Sequence, residues 1–150
     1  IDTFHELNLQ IKPSEAAARA EAFRLDCAGA LRQTMRALFH PDASPNLMNA
    51  TEARMAKTSP DTAIRMFECF SGYDLGASVR RLQVPLRCIN GDLYPVNFEA
   101  NRVVCPDFEA VILPHTGHYP MLECPETFNH HLADVLARWP GTSATDATTP

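Results

Sequence analysis

The stretch that decides the fold is EAVILPHTGHYPMLECPETF, residues 109–128. Its first five residues, EAVIL, are a short β-branched run closed by Pro114, the pattern of a buried strand that ends in a loop. A helix is expected to start near Pro125 and to carry Phe128, Leu132, Leu136 and Trp139 on one face at three- and four-residue spacing. His118 therefore sits on a strand-to-helix loop. Gly117 is expected to allow a sharp turn there, and Pro120 to keep a helix from starting early. A side chain so placed is presented rather than packed.

Upstream, the same texture occurs once more. LRCIN, 86–90, reads as a strand entered through Val84-Pro85, and NGD, 90–92, is a turn signal directly after it. DLGASVRRLQVP, 74–85, reads as a short helical turn before that strand, and FEANRVVC, 98–105, is weakly helical. The order strand, helix, strand, helix is that of a parallel sheet with crossover helices. The first seventy or so residues differ. A helical region over 14–39 has Ser14 as a cap, an apolar stripe of Phe23, Cys27, Leu31, Met35 and Leu38, and a break or kink expected near Gly29. HPDASP, 40–45, is a turn. Ser44-Pro45 and Ser59-Pro60 each supply serine before proline at a helix start, and Gly72 marks the end of the second of these helices.

Composition excludes several classes of function. The chain has 150 residues, 45% hydrophobic and 21% charged, which suits one soluble domain. Its apolar runs are far shorter than the ~20 residues of a membrane span. A net charge of −5, with no basic run or glycine-rich phosphate loop, argues against nucleic acid as a partner. Five cysteines without a CxxC pair read as reduced core thiols in a cytoplasmic protein. The opening residues, IDTFHELN, lack the basic start and apolar core of a signal peptide and read as a strand end running into a loop. The tail PGTSATDATTP is too poor in apolar groups to fold alone and is expected to be disordered.

An imidazole, with an unperturbed pKa around 6.5, is suited to act as a base near neutral pH. On a loop beyond the carboxyl end of a strand it can face a nucleophile on a neighbouring loop. His118 is the main candidate; His115, before the glycine, is a lesser one. HTGH also has an HxxH look, but no third ligand is spaced to suit it, so no metal is expected. A wider metal set of His115, His118, His130 and His131 with a cysteine is the weakest reading.

The run from Leu82 to Phe128, LQVPLRCING and then GHYPMLECPETF, resembles the C-terminal half of an α/β-hydrolase, in which the histidine of the glycine-histidine pair is catalytic. The resemblance implies an α/β fold, the C-terminal part of an α/β-hydrolase parallel sheet with an inserted helical cap. It divides the chain into a strand end and loop (1–13), the cap (14–74), a C-terminal α/β segment (75–139) and the tail (140–150). His118 is then the general base. The orienting acid is Asp2 or Asp92, with Asp2 slightly favoured: the family's most frequent acid position falls on Tyr94, Asp92 stands two residues before it, and Asp2 matches the alternative position at the end of the strand before the cap.

One element of the family is absent. No GxSxG elbow occurs; FSGYDLG and LGASV have glycine and serine in the wrong order. The expectation is a fragment, of natural or truncated origin, whose nucleophile-bearing N-terminal half is its partner. By itself such a chain should bind a partner segment or aggregate, because two short strands make a marginal sheet, and it should not hydrolyse esters. Met35, Phe39, Met66, Phe67, Phe70 and Tyr119 are candidates to line a site for a small apolar or amphiphilic substrate, although packing of the cap on itself is the stronger reading for the cap residues. No metal or organic cofactor is needed for such chemistry. The alternative function is a non-catalytic ligand-binding protein on the same scaffold.

Overall fold

The computed structural model describes residues 1–139; the tail expected to be disordered lies outside the described residues. Four helices come first: α1 (Pro13–Leu25), α2 (Cys27–Leu38), α3 (Pro45–Met55) and α4 (Pro60–Phe70). They are followed by α5 (Leu75–Val79), β1 (Arg87–Gly91), α6 (Phe98–Val104), β2 (Glu109–Leu113), α7 (Pro120–Glu123) and α8 (Pro125–Ala137). No described helix is long and apolar enough to cross a membrane.

β1 and β2 pair in parallel, with Cys88 opposite Ala110 and Gly91 opposite Leu113. The parallel sense follows from the crossover through α6, which carries the chain back to the same end of the sheet. Successive residues of β1 point to opposite faces. Cys88 packs with Leu7, Val79, Val104 and Phe108 on one side, while Ile89 packs with Leu113 and Phe128 on the other. Burial explains the chemistry of Cys88: loss of water around the sulfur pushes its pKa up to about 11 and keeps it a thiol at neutral pH. All five cysteines are free; Cys69 is exposed, so the core reading fails for it.

In the helical segment α1 packs on α4. Ala20, Phe23 and Phe67 are its buried centre, with Leu31 and Ile64 against them. Arg24 adds an exposed tie to Glu68 and a second to Glu21.

Several local expectations change. Lys12, not Ser14, stands at the N-cap of α1, because Pro13 takes the first helical position. The break in 14–39 falls at Asp26 rather than at Gly29, since the Asp26 carboxylate accepts the Gly29 N–H and starts a new helix. Both serine-proline starts are observed, but neither serine side chain makes a capping bond. Pro120 does not delay a helix; it opens the one-turn α7. The inner face of α8 is Phe128, Leu132 and Val135, whereas Leu136 is 53% exposed and Trp139 lies beyond the helix end.

Residues 1–7 form no strand, yet they are fastened across the sheet. The Asp2 N–H donates to the Ile89 carbonyl at 2.9 Å, on the edge of β1 away from β2. Two fully buried asparagines complete the attachment. The Asn90 amide donates to the Thr3 carbonyl at 2.9 Å. Asn101 accepts from the Leu7 N–H at 2.7 Å and donates to the Phe4 carbonyl at 2.7 Å. Each side chain replaces a backbone partner that an irregular segment cannot supply for itself.

At the end of β1 the backbone of Thr116 and Gly117 crosses directly over Gly91, so a Cβ there would lie well under 3.0 Å from both carbonyl oxygens. Gly91→Ala should destabilise the fold by about 3 kcal/mol, the upper range for overpacking a rigid contact. A lowered urea midpoint at unchanged m-value is the expected reading.

Candidate active site

The residues after β2 form a loop, 114–119, with unusually complete backbone fastening. Asp92, in the turn after β1, accepts from the His115 N–H at 3.0 Å with one carboxylate oxygen and from the Thr116 N–H at 3.1 Å with the other. Those bonds, that to Thr116 first, hold the Asp92 carboxyl below its ordinary value against the opposing effect of desolvation. Glu123, in α7, takes three more amides. Its Oε2 accepts from Gly117 at 3.0 Å and His40 at 3.1 Å, and its Oε1 accepts from Tyr119 at 3.1 Å. The His118 N–H donates to the Leu38 carbonyl at the end of α2, at 2.7 Å.

Gly117 is needed for space rather than for its dihedral freedom. Its φ is not in the left-handed region that favours glycine. A side chain would instead strike the His40 nitrogen and the Leu38 carbonyl oxygen, each 2.5 Å from the Cβ position.

The loop so held brings His118 to Asp2. Nδ1 of the ring lies 2.8 Å from Asp2 Oδ2. Asp2 is 3% exposed. Its other oxygen accepts the Gly91 N–H at 2.8 Å, and His5 Nε2 stands 3.7 Å from Oδ2. Asp2 has φ +40°, a conformation that aspartate tolerates better than most residues. Of the two aspartates expected near the imidazole, Asp2 meets it, and Asp92 is occupied with the loop backbone. With Nδ1 engaged, Nε2 is the nitrogen left open, and it has no hydrogen-bond partner among the described residues.

The aromatic candidates separate into groups. Phe39 is buried and lies against Tyr119, centroids 4.9 Å apart, and Tyr119 meets the His118 ring edge-on at 5.1 Å. Burial, and then the Glu123 charge, raise the Tyr119 pKa, so its hydroxyl stays neutral. Phe67 forms one wall of a cavity of about 460 Å³, shared with Phe23, Thr34, Leu38 and Tyr94. Met35 is buried, while Met66 and Phe70 are 49% and 42% exposed. The Tyr94 hydroxyl donates to the Ala37 carbonyl at 2.7 Å, so this residue joins the sheet end to α2.

Sequence reading missed Glu123, Asn90 and Asn101. A glutamate at the end of a four-residue helix after GHYP is a capping signal in retrospect; the asparagines carried no local signal, because their partners are about ninety residues away. The wide histidine metal set does not assemble. His118 faces Asp2, His130 pairs with Asp134 at 3.5 Å, and His115 faces Asp42 at 3.0 Å.

Two outcomes are expected of this loop. Glu123→Ala should lower hydrogen-exchange protection of the Gly117, Tyr119 and His40 amides about tenfold or more, as loss of charge-assisted bonds implies, with β1 and β2 little changed. The Asp92 bonds are fully present above its ordinary pKa of 3.8 and are lost as pH falls through the lowered value. Protection of the His115 and Thr116 amides should therefore fall in that acid window, and Asp92→Asn should abolish the dependence.

No family model and no curated protein matches this sequence. Solved structures do. An esterase from Exiguobacterium antarcticum superposes with a TM-score of 0.72 at 15% identity, covering 89% of this chain and 53% of the esterase. The enol-lactonase from Burkholderia xenovorans LB400 gives 0.70 at 18% identity, with 89% and 54% coverage. A bromoperoxidase from Bacillus anthracis gives 0.70 at 16% identity, with 85% and 50% coverage. The chain spans about half the length of the structures it matches, and over that half its fold is that of an α/β-hydrolase.

Proposed function

We propose that this chain is the cap and C-terminal portion of a small-molecule α/β-hydrolase, with His118 as general base and Asp2 as the acid that orients it. The observation that carries this reading is the 2.8 Å bond between His118 Nδ1 and the buried Asp2 carboxylate. A carboxylate on Nδ1 fixes the tautomer and ring orientation and stabilises the imidazolium that forms when Nε2 takes a proton. His118 is part-exposed, so Nε2 is accessible to a nucleophile or to water.

The nucleophile and the oxyanion donors are assigned to polypeptide outside this sequence, the complementary half of the same fold. Its seryl or equivalent oxygen would lose its proton to Nε2 and attack the substrate carbonyl; the same nitrogen would then return the proton to the leaving group. No step calls for a metal or an organic cofactor. Residues 14–74 are the cap. The cavity at Phe67 and Tyr94 is within the size range of small-molecule sites, and its lining stops short of His118. Tyr119, backed by the buried Phe39, forms an apolar wall beside the imidazole. A small apolar or amphiphilic ester or lactone is the substrate class that fits such a wall, and the cytoplasm the compartment that suits free thiols.

The test uses nitrophenyl esters. The chain alone should show no hydrolysis above background. Joined to its nucleophile-bearing half it should turn over, with His118→Ala abolishing activity and Asp2→Asn lowering kcat by roughly 10³–10⁴-fold through the wrong tautomer. Full activity in either variant overturns the assignment. Saturable ligand binding without turnover by the joined protein would favour the non-catalytic binder instead.

A further inference from the structure

A second cluster lies on the outer side of the same loop and is independent of the hydrolytic reading. His40 and Asp42 belong to the turn after α2; His115 is the second residue after β2. His115 Nδ1 lies 3.0 Å and His40 Nδ1 3.4 Å from the same oxygen, Asp42 Oδ2. All three donor atoms fall within 4.8 Å of one another. Neighbouring ligands on a tetrahedral zinc ion stand about 3.3–3.5 Å apart, given bonds of about 2.0–2.2 Å. The two separations to Asp42 are already near that spacing.

The protonation pattern suits a cation as well. The Asp42 N–H donates to His40 Nδ1 at 3.1 Å, so that nitrogen carries a lone pair rather than a hydrogen, engaged by the amide until a cation replaces it. His115 Nδ1 donates to the carboxylate, which makes a proton the present bridge between them. The backbone of His115 is held in place. Its φ is +53°, and its N–H is fixed to Asp92. The rings of His40 and His115 pack edge-to-face at 5.6 Å, both with Nδ1 toward Asp42.

We propose that His40, Asp42 and His115 form a divalent transition-metal site, taking zinc or a neighbouring late first-row ion. On binding, the His115 proton moves from Nδ1 to Nε2, the metal takes its place, and the Asp42 N–H exchanges its bond to His40 for water. Two imidazoles and one carboxylate select such ions over magnesium or calcium, which prefer all-oxygen sites. Three protein ligands leave a fourth position for water or an external donor. The ion would clasp the turn after α2 to the loop after β2, both of which are exposed at Asp42 and His115.

The experiment is zinc titration by calorimetry, with cobalt(II) absorption as a second readout. It is done on the full chain carrying His5→Ala, His130→Ala and His131→Ala, which breaks up the competing sets of His5 and His118 at Asp2 and of His130 at Asp134. One zinc per chain and an intense visible cobalt band are expected. Asp42→Asn and His115→Asn should each weaken zinc binding at least ~10-fold, the loss that even outer ligand partners cause; asparagine is chosen at 115 because it tolerates left-handed backbone. Far-ultraviolet circular dichroism confirms that each variant is folded. Absence of stoichiometric zinc, a pale octahedral cobalt spectrum, or equal affinity in either folded variant overturns the proposal.

Discussion

The structure depends on one carboxylate held between a strand and a ring. Asp2 gives one oxygen to the Gly91 N–H at the end of β1 and the other to His118 Nδ1. Because Asp2 is buried, both oxygens need partners, and an unpaired charge there would be costly. Satisfying it fixes three segments at once: the start of the chain, the end of β1 and the loop after β2. The close approach of the loop over Gly91 is the steric counterpart of that electrostatic requirement.

Around this centre the molecule uses side chains where secondary structure gives out. Asn90 and Asn101 hold residues 3–7, Asp92 holds 115–116, and Glu123 holds 117–119 together with His40. Each is a polar group turned onto backbone amides or carbonyls of a loop. Such loops are ordered by specific bonds rather than by apolar burial, which allows a part-exposed imidazole to keep a defined direction.

The sheet was legible because β-branched runs bounded by proline and glycine are read locally, and both LRCIN and EAVIL occur within one residue of where they were expected. The serine-proline helix starts were legible for the same reason. What local pattern does not carry is competition between neighbouring signals. Asp26 outweighed Gly29 as a helix boundary because a capping bond starts a helix, whereas a glycine only weakens one. Pro120 started a turn of helix because its fixed φ suits a first helical position. Asp2 was only slightly favoured over Asp92 in the sequence, since the choice rests on contacts more than eighty residues apart. His40 gave no sign of its company with His115 for the same reason.

The join between the helical segment and the sheet end runs through the last residues of α2. Leu38 receives the His118 amide, Ala37 receives the Tyr94 hydroxyl, and His40 shares Glu123 with Gly117. The helices over the cavity are thus geared to the imidazole's own backbone. Any displacement of the end of α2 away from the loop must first break the bond from the His118 amide, so the position of that helix and the placement of the ring's backbone are mechanically coupled.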